Sequence, residues 1–100
     1  MQYSFHPAAE RELLDAVRFY EQCNEGLGVS FAKEIYKAIQ TIVLHPSAWA
    51  PLSPNTRRCL IPRFPYGIIY SVTTSDIYII AIMHLNKKPH YWKRRLTTHP

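Results

Sequence analysis

Residues 77–84 read IYIIAIMH. The run is rich in β-branched and aromatic residues, as strands are. Strict alternation puts Tyr78, Ile80, Ile82 and His84 on one face and Ile77, Ile79, Ala81 and Met83 on the other. Both faces are apolar, so this strand is expected at the centre of its sheet and covered on both sides. The chain must be built around it. Immediately afterwards the character inverts: residues 83–95, MHLNKKPHYWKRR, are dominated by cations, histidines and aromatics.

The remaining elements follow from period and punctuation. Tyr3 and Phe5 alternate with polar residues, which predicts a short first strand. Pro7 suits a first helical position, where its missing N–H costs nothing. AAERELLDAVRFYEQC then places Leu13, Val17 and Tyr20 on one helical face, with Glu10, Arg11, Asp15, Arg18 and Glu21 mostly opposite. NEGLG breaks that helix. SFAKEIYKAIQTIVLH repeats the pattern through Phe31, Ile35, Ala38, Ile39 and Ile42 until Pro46 stops it. Two amphipathic helices with a short break between them predict an αα-hairpin. Residues 45–56, with three prolines, read as loop. RRCLIP and YGIIYSVTT read as strands, with hairpin turns at RFPY and TTSD. Pro89 is expected to open a short C-terminal helix, HYWKRRL. The order is β-α-α-β-β-β: an α+β domain over residues 1–100, a helical hairpin on a small, mostly antiparallel sheet. The second sheet face is expected to stay partly open, as a place for a partner.

A chain of 100 residues makes one domain with one real core. No apolar run approaches the ~20 residues of a membrane span. The N-terminus lacks the charged and apolar regions of a signal peptide, so a cytoplasmic protein is expected. Cys23 and Cys59 lack a CxxC context and read as two buried thiols. Charge is unevenly divided. Residues 1–50 hold four Lys/Arg against six Asp/Glu, a balance of −2, and residues 51–100 hold eight against Asp76 alone, +7. Such asymmetry points to a surface facing a polyanion or an acidic protein.

With the elements placed, three segments carry a family resemblance: HPAAERELLDAVRFYE, RRCLIPRFPYGIIYSV and IIAIMHLNKKPHYWKRR. The sequence resembles the RelE/ParE superfamily of toxins from type II toxin–antitoxin, or plasmid stabilisation, modules. The most specific parts are FPYxIxY (Phe64, Pro65, Tyr66, Ile68, Tyr70) and H-x4-P-x-YW (His84, Pro89, Tyr91, Trp92). The resemblance implies a compact toxin fold and a cognate antitoxin that wraps it. RelE-type members cleave mRNA in the ribosomal A site, and ParE-type members poison DNA gyrase. Many relatives carry Arg-Arg or Lys-Arg between the histidine and PxYW, where this chain has Lys87-Lys88. Lysine lacks the bidentate fork of arginine. A complete RelE-type catalytic set does not map onto this chain residue by residue.

RNA cleavage without metal needs a base for the 2′-hydroxyl, cations for the phosphorane and a proton donor for the leaving oxygen. Asp76, the only acid of the basic half, sits in a predicted turn. His84 is therefore the candidate base, Tyr91 the candidate proton donor or stacking platform, and Arg58, Arg63 and Lys88 the candidate phosphate-holding groups. Arg57, Lys87, Lys93, Arg94 and Arg95 are the candidate nucleic-acid contacts. Each has a plainer role as well. His84 can hydrogen-bond the loop that follows, Tyr91 and Trp92 can pack the C-terminal helix, and Lys93 to Arg95 can be a solvated tail. Arg57 and Arg58, adjacent on a strand, point to opposite faces. Five histidines without HxH or HExxH spacing give no metal site, and no cofactor is expected. Ribosome-dependent mRNA cleavage is the leading expectation. Gyrase inhibition without chemistry of its own is the alternative, followed by a degenerate antitoxin-binding module.

Overall fold

The computed structural model describes residues 1–97. The elements are β1 (Gln2–Phe5), α1 (Pro7–Cys23), α2 (Leu27–Leu44), β2 (Pro51–Ser53), β3 (Thr56–Leu60), β4 (Tyr66–Val72), β5 (Asp76–His84) and α3 (Arg94–Thr97). One five-stranded sheet runs β1-β5-β4-β3-β2, with β1 parallel to β5 and the remaining pairs antiparallel.

The helical hairpin forms as its sequence dictates. His6 caps α1, its Nδ1 accepting the Ala8 N–H at 2.9 Å, and Pro7 occupies the first turn. At the other end Glu21 reaches across the break. Its carboxylate accepts the N–H groups of Gly26 and Gly28 at 2.8 and 2.9 Å, at the start of α2. The Gly26 bond is the main cause of its carboxyl being held below the usual range. Leu13 and Ala16 of α1 pack with Phe31, Ile35, Ile39 and Ile42 of α2 over Cys59, Ile68, Tyr70, Ile77, Ile79 and Ile82 of the sheet. The FPY turn contributes rings to this core. Tyr20, Phe31, Phe64 and Tyr66 form a cluster with centroids 4.9–6.2 Å apart, mostly edge-on.

Four expectations are corrected. The proline-rich loop contains β2, a three-residue edge strand paired with β3; Pro51 at its first position gives up no ladder bond that an interior residue would need. The alternation expected along β5 is broken by a bulge. Ile69 pairs with Ala81 but Tyr70 pairs with Ile79, leaving Ile80 as the extra residue. Ile77, Ile79 and Ile82 therefore face the helices, while Tyr78, Ile80, Ala81 and Met83 form a second core. That second face is partly open, as expected: Trp92, 1% exposed, covers β4 and β5 with Ile69, while Arg58 and Leu60 of β3 are exposed. The C-terminal helix is one turn long and starts at Arg94, not Pro89, because His90 has φ 62°, which no right-handed helix accepts. Finally, Cys59 is buried but Cys23 is exposed at the end of α1. Burial pushes the Cys59 thiol up to about 11.

Candidate functional site

β5 has a strand neighbour on the β1 side only as far as Ile79, whose carbonyl accepts the His6 N–H at 2.9 Å. Beyond it the buried backbone of β5, left without a strand partner on that side, is met by side chains. Glu12 of α1 accepts the Ile82 N–H at 3.0 Å, and Arg95 of α3 donates to the Ile80 carbonyl at 2.9 Å. Glu12 and Arg95 also form a bidentate pair at 2.8 and 2.9 Å, and the Tyr91 hydroxyl donates to Glu12 at 2.6 Å. Both charges are largely withdrawn from water, at 21% and 15% exposure, and each satisfies the other. Beside this cluster lies a groove of about 250 Å³. It is lined by Glu12, Asp15 and Phe19 of α1, Tyr66 of β4, and His84, Lys87 and Tyr91 around the end of β5.

The groove gathers three of the candidate residues, His84, Lys87 and Tyr91. His84 faces Tyr66 across the β4–β5 ladder, with rings edge-on at 5.1 Å. Its Nδ1 accepts the Asn86 N–H at 3.0 Å, which leaves Nε2 as the protonated nitrogen of the neutral ring. Tyr91 lies under the Arg95 guanidinium, 5.0 Å from the ring centroid, and the Lys87 ammonium stands 5.8 Å from the same ring. Burial, with the Glu12 bond next, raises the Tyr91 phenol well above the ordinary tyrosine range.

The other candidates are dispersed. Arg57 is on the helix side of β3 and donates to the carbonyls of Ser47 and Trp49, holding the loop before β2. Arg58 is on the opposite side, its stem beside Gly67 and next to a cavity shared with Trp49, Leu52 and Leu60. Arg63 sits in the β3–β4 turn with φ 72°, 5.8 Å over the Phe64 ring. Lys88, Lys93 and Arg94 are exposed around the terminal turns. Arg95 is engaged inside the chain through Glu12 and Ile80. Among the described residues, no group of three His, Cys, Asp or Glu side chains is placed to hold a metal, and no helix is long and apolar enough to cross a membrane.

Glu12 is the site residue that reading the sequence missed. A signal was present. Ala9, Leu13 and Ala16 are the buried positions of α1, and Glu12 is three residues after the first and four before the last. It is a carboxylate on the apolar stripe, which demands a buried partner.

A sequence model described as the ParE toxin of the type II toxin–antitoxin system parDE matches residues 3–89. No curated protein matches the chain in sequence. Among solved structures, the fold is similar to a chain of the chromosomal ParDE toxin–antitoxin system from P. aeruginosa, with a TM-score of 0.72 at 16% identity, over 86% of this chain and 97% of that one. The expected α+β toxin fold is thus present, and the family model covers α1, α2, the strands from Tyr3 onward and the groove apart from Tyr91. The chain belongs to the ParE toxin family of type II toxin–antitoxin systems.

Proposed function

We propose that this toxin arrests growth by engaging DNA gyrase through protein contacts, without cleaving RNA. The family match supports gyrase as the target, and the state of Tyr91 is the observation that weighs against RNA cleavage. A general acid works best with a pKa near the operating pH. The Tyr91 proton is instead held toward Glu12, and its phenol is raised by burial and by that bond. The cations needed around a phosphorane are spread over both sides of the sheet, and Arg57 and Arg95 are bonded within the chain. The exposed Lys87, Lys88, Lys93 and Arg94 serve in this reading as a contact surface. An antitoxin, the partner that membership of the family implies, would neutralise the toxin by covering it. Gyrase and ribosomes both place the protein in the cytoplasm.

A second reading, ribosome-dependent mRNA cleavage, is favoured by one observation: His84, Lys87 and Tyr91 do line a single groove. The two separate in one pair of assays. Purified toxin is added to gyrase on relaxed plasmid, and to a reconstituted translation reaction with mRNA 5′ ends mapped by primer extension. The expected result is loss of supercoiling with intact mRNA. It should persist in His84→Ala and weaken roughly tenfold, about 1.4 kcal/mol, in Lys87→Ala/Lys88→Ala. Codon-phased cuts that need ribosomes and vanish in His84→Ala would establish the second reading instead.

A further inference from the structure

Residues 85–97 have little to hold them in place by themselves. They consist of turns and the single helical turn α3, and an isolated helix this short is not stable in water. They also carry Lys87, Lys88, Lys93, Arg94 and Arg95, five cations within nine residues that repel one another. Beyond the Leu85 N–H, which donates to the Pro65 carbonyl at 2.9 Å, two side-chain attachments to the body of the fold oppose this. Trp92 is inserted in the core on the second face of the sheet. Tyr91 and Arg95 reach the other way, over the open edge of β5, to Glu12. The segment therefore straddles that edge.

Glu12 is the common point of the second attachment. Its two oxygens accept four hydrogen bonds, from Ile82 N–H, Tyr91 Oη and both terminal nitrogens of Arg95. A carboxylate has about four lone-pair positions, so its capacity is filled. The same group cancels the cation that sits over β5 and leaves Lys87, Lys88, Lys93 and Arg94 exposed. Arg95 in turn supplies the donor that the Ile80 carbonyl would otherwise take from a neighbouring strand.

We infer that Glu12 is a positioning residue: it fastens the cationic segment Lys87–Arg95 to the edge of β5 and so sets the geometry in which that segment meets its target. The fastening stands on the hydrogen bonds alone. Its consequence for target binding rests on the gyrase reading above.

The test uses the full chain with Glu12→Ala, Glu12→Gln and Arg95→Gln. Amide exchange by NMR is read at Ile82 and Tyr91–Arg95, with Ile35 and Ile39 as internal controls, beside half-inhibitory concentrations on gyrase. In Glu12→Ala, exchange at Ile82 and through Tyr91–Arg95 is expected to accelerate roughly tenfold or more while the controls stay slow. Gyrase inhibition should weaken by a comparable factor. Glu12→Gln keeps a single acceptor oxygen, which can serve Ile82, and puts an amide NH2 where Tyr91 donates, so it should rescue Ile82 while leaving Tyr91 and Arg95 released. If Glu12→Ala does not fold, Arg95→Gln provides the same comparison from the other partner, with exchange faster at Tyr91–Arg95. Unchanged exchange of the segment in a folded variant overturns the inference, as does a released segment that inhibits gyrase as well as wild type. A wild-type protein without effect on gyrase refutes the target instead, and the exchange rates then decide the fastening alone.

Discussion

Gly28 is the position where packing and local propensity make opposite predictions. It lies in the first turn of α2, is buried, and has an ordinary negative φ. By propensity alone, Gly28→Ala would stabilise a helix by about 1 kcal/mol. The structure reverses the sign. A methyl group there would stand 2.5 Å from the Val17 carbonyl oxygen and 2.9 and 3.0 Å from Glu21 Oε1 and Cβ. Ordinary contact begins at 3.4 Å, so the backbone oxygen is 0.9 Å too close. Val17 is in the middle of α1 and cannot yield alone, so the two helices must separate and Glu21 must loosen its hold on Gly26 and Gly28. Overpacking of this kind costs about 1–3 kcal/mol, and subtracting the propensity gain leaves a net loss of up to about 2 kcal/mol. For a domain of this size the full 2 kcal/mol is a fall in Tm of roughly 8–16 °C. The assay is urea and thermal unfolding by circular dichroism, with Gly26→Asn as control. Gly26 has φ 84° and nothing within 4 Å, so it needs left-handed backbone but has room for a side chain. Asparagine tolerates that conformation and should stay near wild type. A Gly28→Ala protein as stable as wild type, or more so, would refute the close-approach argument.

Two further outcomes follow from the cores. Trp92→Ala should cost about 3–5 kcal/mol and create binding of a hydrophobic dye, because Trp92 is the largest side chain buried on the second face, over Ile69, Ile80 and Met83; a small loss without dye binding would mean that the face is covered in another way. The Tyr70 hydroxyl donates to the Pro46 carbonyl at 2.7 Å, and burial pushes its phenol up to about 12 from the ordinary 10.0. The folded protein thus keeps a proton that the unfolded chain releases first, so this contribution is complete below pH 10 and is lost as pH rises through about 12. The difference in unfolding free energy between wild type and Tyr70→Phe should therefore shrink by about 2–3 kcal/mol across that window; parallel curves would refute it.

The amphipathic helices, the three long strands and the FPY turn were legible in the order of residues because each is a local pattern. Helix period, β-branched runs and proline stops act within a few residues of themselves. The two-sided apolar character of IYIIAIMH also announced a strand buried on both faces, and the charge inversion after it marked where the chain changes role. The bulge at Ile80 was not legible. It depends on the pairing of Ile69 and Tyr70 across the ladder, and a one-residue offset moves side chains to the opposite face. Nor was β2, whose three residues are strand only because β3 lies beside them.

The site divides in the same way. The sequence named ten candidate residues by their chemistry, and the groove brings together three of them, His84, Lys87 and Tyr91. The sequence also marked a basic C-terminal segment, since charge is written directly in the residues. What only tertiary structure decided is which of those groups are already engaged. Arg95 meets Glu12 across 83 positions of chain and Tyr91 meets it across 79. No local pattern encodes a contact of that range. It exists because β1 ends at Phe5 and leaves backbone groups of β5 for side chains to satisfy, and an unpaired buried amide is too costly to leave there.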